Sequence, residues 1–529
     1  MSEHKRATAA VAAKVADFHK RKETFRIYHG STNSTRIVEF DPDKMIDMSD
    51  FHHVLEVDAG RRVAVVQANV PMDTLVEATL QMGLIPPVVM EFPGITVGGG
   101  YMGVAGESSS WKYGFFDRTV NWVDVILMTG ERRRASATQN ADLFKGLPGT
   151  YGTVAVTTLF EIQLIPAKDY VELEYFRLDG MAEVHRFIDE AIHMADVDYI
   201  DGIAFAPGKT VIMLGRLTNR RPSKQKPIQT FSGRMDPWFY LHAEKMCNAS
   251  KAVAGDKQAA GHVEMVPLVD YLFRYDRGAF WTGRYAFRRF HTPFNRVMRA
   301  ILDPLMHTRP MYAALNASRY TTQYIIQDVA IPFDRKRVEE LTLWNENNTN
   351  IWPVWLCPLR IEGKHTVPLR ARVGREVVWD KPPIMLLNFG IWGPGPLNHK
   401  KFVELNRDLE ATVARLGGFK WLYANTYYTE DEFWRIYDRP WYEWLRGWYG
   451  GGESWLRDKG NDVWQRTRAK NASADGEQER TSGVRGVVVA VKMVARKKLG
   501  MGKSRSGGTH LLGGGGGGGG ASKKLRKQL

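Results

Sequence analysis

Hydrophobic positions in the first 170 residues follow helical spacing in some segments and strand spacing in others. Val11, Val15 and Phe18 recur at intervals of three and four residues, which predicts an amphipathic opening helix. The segments VLEVD and RVAVVQAN flank an Ala59-Gly60 turn and predict a β-hairpin. WVDVILMTGE and VAVTTLFEIQLI predict two further strands. Short strands mixed with helices indicate an α+β domain.

The pattern changes at about residue 170 and again after Trp464. The middle of the sequence is rich in Trp, Tyr and Arg, with strands predicted at IAFAP and TVIML and a helix at RKRVEELTLW. After Trp464 the aromatic residues stop, and a run of glycines at 513–520 is followed by KKLRKQL. We therefore expect a first α+β domain at 1–168, a second α+β domain at 169–464, and a disordered, low-complexity basic tail at 465–529.

The positive charge is concentrated in that tail. The net charge is +15 over 529 residues, but residues 465–529 alone hold 15 Lys and Arg against 3 Asp and Glu. The body is thus nearly neutral, so we expect no nucleic-acid partner and a small-molecule function instead. The composition, with 44% hydrophobic and 25% charged residues, is typical of a soluble globular protein.

Cysteine usage and hydropathy restrict the compartment. The two cysteines, Cys247 and Cys357, are far apart and lack CxxC spacing, which excludes a disulfide framework and a thiolate zinc site, and we expect no metal. No run of about 18 apolar residues and no signal-peptide pattern occurs. We expect a cytoplasmic protein, with peripheral attachment to the endoplasmic reticulum through the basic tail as the alternative.

Three clusters of glycine and small polar residues provide the main functional signal. They are HGSTNS at 29–34, PGITVGGGYMGVAGESSSWKYG at 93–114 and GTYGTVAVTTLFEI at 149–162. Glycine leaves amide groups uncovered, so phosphate oxygens can lie on the main chain, and three such clusters could wrap one dinucleotide. The alternative is that small residues only let two elements pack closely. The GxGxxG at 98–103 lacks the strand-loop-helix context of a Rossmann site.

These segments resemble a known family. In order, they resemble the FAD-linked oxidoreductases of the vanillyl-alcohol-oxidase superfamily, which implies a PCMH-type FAD-binding domain of two subdomains at 1–168 and a substrate (cap) domain at 169–464. Within that superfamily the sequence is similar to the Diminuto-type delta(24)-sterol reductases, over roughly residues 20–464. The resemblance is carried by ITVGG, ESSSWKYGFF, GTYGTVAVTTLFEIQLIPAKDYVELEY, IIQDVAIPF, WPVWLCPLR and LYANTYYTEDEFW.

The resemblance implies positions for the cofactor. It implies that the FAD pyrophosphate lies on Gly30, Ser31, Thr32, Asn33 and Ser34 and on Thr96, Val97, Gly98 and Gly99. It implies that Ser108, Ser109, Tyr113 and Gly114 follow the ribityl group and the isoalloxazine, and that Gly149, Gly152 and Val154 close over the adenine. His29 is the candidate for a covalent flavin bond, but the sterol-reductase-like members imply that FAD is held without one.

The implied reaction is reduction of a carbon–carbon double bond in the side chain of a sterol or similar lipid, with NADPH as the reductant of FAD. An isolated alkene needs a positioned acid in an apolar pocket, because no carbonyl draws in the hydride. Tyr423 is the first candidate acid and Glu107 the second. Aromatic residues such as Trp355 and Tyr427 could stabilise positive charge, although core packing is their simpler role.

Two other hypotheses stay open. One is an FAD-linked oxidase or dehydrogenase of an alcohol or hydroxy acid that passes electrons to oxygen or another acceptor, since the same fold serves both chemistries. The other is a binding or membrane-tethering protein whose tail matters more than turnover. Under the leading hypothesis, we expect catalysis to survive removal of residues 465–529.

Overall fold

The computed structural model describes residues 1–30, 40–250, 261–318, 323–361, 371, 373, 384–449, 462–469 and 483–498. Its strands are β1 (Arg26–Tyr28), β2 (Met45–Asp47), β3 (Val54–Asp58), β4 (Val63–Gln67), β5 (Leu84–Ile85), β6 (Val120–Leu127), β7 (Arg132–Ser136), β8 (Ala155–Gln163), β9 (Ile165–Pro166), β10 (Tyr170–Leu178), β11 (Tyr199–Ala206), β12 (Lys209–Thr218), β13 (His262–Pro267), β14 (Tyr324–Pro332), β15 (Val354–Ile361), β16 (Ile384–Pro394) and β17 (Phe419–Lys420).

The helices are α1 (Ser2–Lys20), α2 (Met72–Leu80), α3 (Val97–Gly103), α4 (Ser110–Tyr113), α5 (Ala141–Gly146), α6 (Met181–Ala191), α7 (Phe239–Ala249), α8 (Leu268–Leu272), α9 (Thr282–Arg289), α10 (Arg296–Leu302), α11 (Thr308–Ser318), α12 (Arg335–Asn348), α13 (His399–Arg415), α14 (Glu430–Ile436), α15 (Arg439–Tyr449), α16 (Val463–Thr467) and α17 (Gly483–Lys498). Two short 3-10 helices span Phe116–Thr119 and Asp303–Leu305. The mixture of helices and sheets confirms the α+β class.

Two sheets organise these elements. A five-stranded antiparallel sheet has the order β3-β4-β8-β6-β7, and an eight-stranded antiparallel sheet has the order β13-β10-β12-β11-β15-β16-β14-β17. The predicted hairpin is confirmed, since Val57 pairs with Ala64. The first sheet ends with β8 and the second begins with β10, at residue 170. The domain limits at 168 and 464 stay a prediction.

The opening helix packs as its apolar spacing predicts. Val11, Val15 and Phe18 of α1 are buried in one cluster with Ile126 of β6 and with Val156 of β8. The turn after β6 lets the helix come this close, because Gly130 has a positive φ of +87° and a side chain there would lie 2.6 Å from Ala16 Cβ. α1 is therefore fixed on the five-stranded sheet.

Helices α6, α12 and α13 cover one face of the eight-stranded sheet. Their buried apolar residues, such as Val184, Val338 and Leu409, join Ile200 and Leu356 of the strands in one core cluster. A larger cluster continues from the five-stranded sheet through the opposite face of the eight-stranded one, and includes Tyr101. The glycine-rich segments lie beside this larger core.

The glycine-rich segment at 97–103 forms the short helix α3. Thr96 caps α3 by accepting the Gly99 amide on its side-chain oxygen at 3.1 Å. The helix ends at Val104, which is in the left-handed conformation at φ 52°. No helix within the described ranges combines the length and the apolar run that a bilayer crossing needs.

The expectation of a disordered tail from residue 465 is wrong for two segments. α16 spans Val463–Thr467, and its end pairs through Arg468 with Thr426. α17, Gly483–Lys498, packs on α11 and on the 3-10 helix Asp303–Leu305. Close packing orders α17: a side chain at Gly486 would lie 2.7 Å from the Ala314 main-chain oxygen. The other residues of 465–529 lie outside the described ranges.

A buried charge cluster fixes the start of α11. His307 Nδ1 lies 2.5 Å from Asp276 Oδ2, and Asp276 Oδ1 also accepts the Thr308 amide at 3.0 Å. Asp303 Oδ2 lies 3.5 Å from the second ring nitrogen of His307. Burial alone would lower the pKa of His307, but the hydrogen bonds to Asp276 and Asp303 outweigh it and raise the pKa to about 9. The imidazolium is therefore part of the folded structure at neutral pH.

We predict that this cluster makes stability depend on pH. Because the folded pKa of His307 lies above the unfolded one, its contribution is complete below pH 6.5 and is lost as pH rises through 9. The side chain is 35% exposed, so solvent screening leaves roughly 1 kcal/mol of the free energy of unfolding. His307→Gln should lower the free energy of unfolding at pH 6 by this amount, and the gap should close by pH 10. A gap that is equal at both pH values in denaturant titrations would contradict the assignment.

Candidate cofactor and substrate site

A cavity of about 650 Å³ is lined by residues of both sheets and of the segments that connect them. Its volume lies within the usual range for ligand sites, roughly 300–1,000 Å³. The five-stranded sheet and its connections contribute a wall of small residues. The eight-stranded sheet and α11 contribute a wall of aromatic residues and two carboxamides, and α17 contributes Val489 and Met493.

The wall of small residues contains several predicted positions. Its members from the glycine clusters are Gly30, Thr96, Gly98, Gly99, Gly103, Gly106 and Gly152. The amides in α3 are not uncovered, contrary to the expectation: Gly98 N–H donates to the Ala68 oxygen at 2.7 Å, and Gly100 N–H donates to the Thr96 oxygen at 2.8 Å. A phosphate group cannot take these hydrogens without displacing existing bonds. The glycines here serve close packing as well as access.

Two arginines add positive charge beside this wall. Arg26 and Arg466 both line the cavity, next to His29 and Gly30. Arg466 Nη1 donates to the Tyr151 oxygen at 2.8 Å, and Nη2 donates to the Phe25 oxygen at 3.0 Å. It thus holds the start of β1 against the turn that contains Gly152. Two guanidinium groups suit an anionic group such as a pyrophosphate.

The cavity lining also contains a group of packed rings. Its aromatic members are Phe92, Phe280, Tyr312, Trp355, Trp392, Trp421 and Tyr423. Phe280 is central, with ring centroids 5.2 Å from Trp392, 5.3 Å from Trp355 and 5.5 Å from Phe92. Such a wall accepts an apolar ligand, and its ring faces can stabilise a nearby positive charge.

Asp328 and Tyr423 form a partly buried pair among the aromatic residues of the cavity lining. The Tyr423 hydroxyl donates to Asp328 Oδ2 at 2.5 Å, and Asn388 Nδ2 donates to Asp328 Oδ1 at 3.2 Å. Burial raises the pKa of Asp328, while these hydrogen bonds counter part of the rise. Burial, and then the charge of Asp328, raise the pKa of Tyr423 well above its usual value. The pair can hold a proton at the cavity wall.

Glu91 is a second buried acid on the cavity wall, and the motifs did not point to it. Burial, followed by repulsion from Glu107, raises the pKa of Glu91 well above its usual range. Its Oε1 is buried without a hydrogen-bond partner in the structure. The signal available in the sequence was a lone acidic residue in the apolar stretch PPVVMEFPG, directly before the glycine cluster.

Glu107, the second candidate acid, belongs to a network behind the wall. It accepts from the hydroxyl of Ser108 at 2.6 Å and from the amide of Ser109 at 3.0 Å, and the Ser109 hydroxyl also donates to it. Burial raises the pKa of Glu107, and these serine contacts oppose the rise. Glu107, Ser108 and Ser109 are not among the residues that line the cavity. The structure therefore gives them a supporting position.

An ion pair connects this network to the aromatic wall. Arg274 Nη2 donates to Asp201 Oδ2 at 2.9 Å and to the Ser108 hydroxyl at 3.3 Å. Asp201 Oδ2 also accepts from the Tyr275 hydroxyl at 2.7 Å and from Trp355 Nε1 at 3.1 Å. The position of the Trp355 ring on the cavity wall is thus set by a buried, hydrogen-bonded charge pair.

The other predicted residues divide into three groups. Val97 and Val154 are core side chains with no exposed surface. Gly149 and Gly114 occupy turns with positive φ, and Tyr113 is a half-buried residue of α4; none of the three lines the cavity. Ser31, Thr32, Asn33 and Ser34 lie outside the described residues. Of the predicted catalytic residues, only Tyr423 faces the cavity.

Comparisons with known proteins agree with the resemblance. A family profile described as an FAD binding domain matches residues 6–136. This protein therefore has an FAD-binding domain. It is 27% identical to the Delta(24)-sterol reductase of Homo sapiens over 410 residues, which cover 76% of this sequence and 74% of that protein. It is 26% identical to the Delta(24)-sterol reductase homolog of Caenorhabditis elegans over 441 residues, covering 80% and 78%.

A plant relative matches to the same degree. The protein is 27% identical to the Delta(24)-sterol reductase of Arabidopsis thaliana over 429 residues, covering 75% of this sequence and 72% of the relative. The resemblance drawn from the motifs is thus confirmed, and this FAD-binding oxidoreductase is similar to the sterol reductases over most of its length. The residues at the cavity fit such a cofactor, since glycines and guanidinium groups meet an aromatic wall there.

We predict that ionisation of Glu91 makes the free energy of unfolding fall as pH rises. Its folded pKa is raised, so its favourable contribution is complete below the unfolded pKa and is lost as pH rises toward the folded one. Glu91→Gln removes this loss. The free energy of unfolding of Glu91→Gln minus that of wild type should increase by roughly 1 kcal/mol per pH unit above about pH 5.

Glu410 supplies the matched control. It is equally buried, but it accepts from Lys420 Nζ at 2.9 Å. Glu410→Gln leaves that ammonium buried without its partner and should destabilise the fold at every pH, by about 3–5 kcal/mol. Denaturant titrations at several pH values test both variants. A gain for Glu91→Gln that does not grow with pH would contradict a protonated Glu91.

Proposed function

We propose that this protein reduces a carbon–carbon double bond in the side chain of a sterol or a similar lipid, with NADPH as the electron donor and FAD held without a covalent bond. The observation that carries the proposal is the Asp328–Tyr423 pair, which lines the same cavity as the glycines of the FAD-binding domain and a group of aromatic rings. The names of the similar proteins support a sterol as the substrate class.

The cofactor position is part of the proposal. We assign the pyrophosphate to Gly30 with the neighbouring Ser31–Ser34 segment and to the Thr96–Gly99 turn, with Arg26 and Arg466 as the cations that balance its charge. Ser108, Ser109, Tyr113 and Gly114 would support the flavin, and Gly149, Gly152 and Val154 the adenine. Because the α3 amides are already bonded, the guanidinium groups carry more of the phosphate binding than the sequence suggested.

The protein's own residues supply the proton. FAD, when bound and reduced, supplies the hydride that completes the saturated bond. Protonation of one alkene carbon leaves positive charge on the other, and the facing aromatic rings lower that charge's energy by roughly 0.5–2 kcal/mol each. Tyr423 donates the proton from its hydroxyl, and the Asp328 carboxyl, whose pKa is raised by burial, lies across the hydrogen bond through which a proton from water can return to Tyr423.

Glu91 is the alternative acid on the same wall. Burial raises its pKa well above the usual range, which favours the protonated form, and it faces the cavity beside Phe92. Tyr423 is preferred, because its partner Asp328 can restore the proton after each turnover, whereas Glu91 Oε1 has no hydrogen-bond partner through which a proton could return.

The electron donor and the location complete the proposal. NADPH would be the source of the hydride that reduces FAD. The protein works in the cytoplasm or on the surface of the endoplasmic reticulum, in contact with the membrane that holds its substrate.

We predict that Gly103→Val prevents flavin binding without disturbing the fold. Gly103 lines the cavity, and no atom lies within 4 Å of where its side chain would start, so valine enters open space. Overlap with a bound cofactor costs about 1–3 kcal/mol, so FAD affinity should fall about tenfold or more. Flavin content by absorbance and the melting temperature of the apoprotein measure the two effects separately.

Gly447→Val is its control. Gly447 on α15 also has no atom within 4 Å, but it does not line the cavity. This variant should keep wild-type flavin content. If Gly103→Val retained full flavin, the cofactor would lie elsewhere. Gly98 is unsuitable for this test, because a side chain there would approach the Ala68 oxygen to 2.9 Å within the protein itself.

We predict that anaerobic NADPH bleaches the flavin rapidly and that Tyr423→Phe leaves this step intact. The variant should still lower the rate of reduction of a sterol with an unsaturated side chain by about 10²-fold, the usual contribution of a general acid. Stopped-flow absorbance follows the first step, and product analysis follows the second. Bleaching by a hydroxylated substrate but not by NADPH would instead favour the oxidase or dehydrogenase hypothesis.

Tyr175→Phe is the matched control for this variant. The Tyr175 hydroxyl also donates to a buried carboxylate, Glu264, at 2.6 Å, but it lies away from the cavity. Its loss should leave both steps unchanged in a folded protein. Equal slowing of both variants would show that the effect comes from the fold and not from proton donation.

A further inference from the structure

Helix α17 is apolar on both of its sides. Gly486 and Ala490 are buried, and Val489 and Met493 line the cavity. On the other side, Val487, Val488 and Val491 expose 37%, 43% and 47% of their surface. A helix that is hydrophobic all round is normally covered on all sides, by protein or by lipid. The outer side of α17 therefore needs an occupant.

The inner side of α17 forms part of the cavity wall. α17 packs on α11, which contributes Tyr312, Ala313 and Asn316 to the same cavity. The close approach depends on small residues, since a side chain at Gly486 would meet the Ala314 oxygen at 2.7 Å. Only one layer of helix thus separates the cavity from the exposed valines.

α10, which is linked to α17 through a 3-10 helix, also carries exposed apolar residues. The 3-10 helix Asp303–Leu305 directly follows α10 and also contacts α17. On α10, Val297 and Ile301 expose 62% and 54% of their surface. We call the exposed residues Val487, Val488, Val491, Val297 and Ile301 the docking face.

The Asp, Glu, Lys and Arg positions in residues 278–302 and in α17 are all Lys or Arg. Residues 278–302, which contain α9 and α10, hold five arginines and no Asp or Glu, and Arg284, Arg288, Arg289 and Arg296 are exposed. The α17 segment, Gly483–Lys498, also contains five basic residues and no acidic one, and Lys492 is exposed beside the valines. Exposed apolar residues flanked by cations match an anionic lipid surface.

We propose that the docking face binds the surface of an anionic phospholipid bilayer and that α17 lies at the lipid–water boundary. The valines enter the headgroup region, while the arginines and Lys492 contact lipid phosphates. A second copy of the protein is a poorer occupant, because it would bring arginine against arginine. The lipid substrate would pass from the bilayer beside α17 into the cavity; this access route rests on the proposed function, whereas the docking does not.

Vesicle binding tests the docking. The flavin-loaded full-length protein is sedimented with phosphatidylcholine vesicles that contain or lack phosphatidylserine. Wild type should bind the anionic vesicles more strongly, and high salt should weaken the binding. Val488→Asp with Val491→Asp should reduce the partition coefficient by about tenfold or more, because it replaces buried methyl groups with charge.

Exposed leucines elsewhere provide the control. Leu343 on α12 and Leu397 before α13 expose 55% and 79% of their surface, and Leu343→Asp or Leu397→Asp should leave vesicle binding unchanged. Failure of wild type to bind either vesicle, or equal binding by the α17 variant, overturns the proposal. If gel filtration shows that wild type self-associates and the α17 variant does not, the face serves a second copy and the proposal is wrong.

Delivery of the substrate separates the two proposals. With sterol in anionic vesicles, the α17 variant should turn over more slowly than wild type, while sterol delivered by cyclodextrin should give equal rates. If the protein reduces sterol neither from vesicles nor from cyclodextrin but still binds vesicles, the sterol-reductase function is wrong and the membrane docking stands. Equal rates from vesicles would reject the access route.

Discussion

The site depends on the close approach of bare main chain to both sheets between residues 98 and 106. A side chain at Gly98 would lie 2.9 Å from the Ala68 oxygen after β4, and one at Gly106 would lie 2.9 Å from Leu359 of β15. Trp421 secures the contact by donating its Nε1 hydrogen to the Val104 oxygen at 2.7 Å. Because this segment has no side chains at these points, it can touch both sheets, and the cavity is the space that remains beside it.

The chemistry of the cavity depends on which buried carboxylates are paired with a cation. Two interior carboxylates are neutralised by cations: Asp201 is paired with Arg274, and Glu410 with Lys420. Among the described residues, Asp328 forms no ion pair; its hydrogen-bond partners are neutral, and its pKa is raised. A buried acid without a cation is costly for folding unless it stays protonated. Ion pairs account for the burial of Asp201 and Glu410, whereas Asp328 lines the cavity with a raised pKa and neutral hydrogen-bond partners.

The sequence predicted the elements better than the site. The spacing of Val11, Val15 and Phe18 and the hairpin around Gly60 depend on local periodicity, and both are present in the fold. The family motifs LYANTYYTEDEFW and IIQDVAIPF contain Tyr423 and Asp328, but they could not show that the two residues meet, because these are 95 residues apart in sequence and come together where β14 lies next to β17. A catalytic role of Glu107 stays a prediction: its proximity to the serines was visible in the sequence, and its position outside the cavity lining was not.

α17 shows why composition alone gave a wrong prediction of disorder for part of the tail. Glycine runs and clustered lysines predict disorder when a segment has no surface to bury, yet GVVVAVKMVA contains enough apolar residues to cover a neighbour. α11 offers that neighbour, with Ala314 and Ser318 facing Gly486. A short helix gains most of its stability from such packing and little from its own propensity. Since Val489 and Met493 then complete the cavity wall, removal of residues 465–529 would open the site, so the expectation that catalysis survives the truncation no longer follows from the fold.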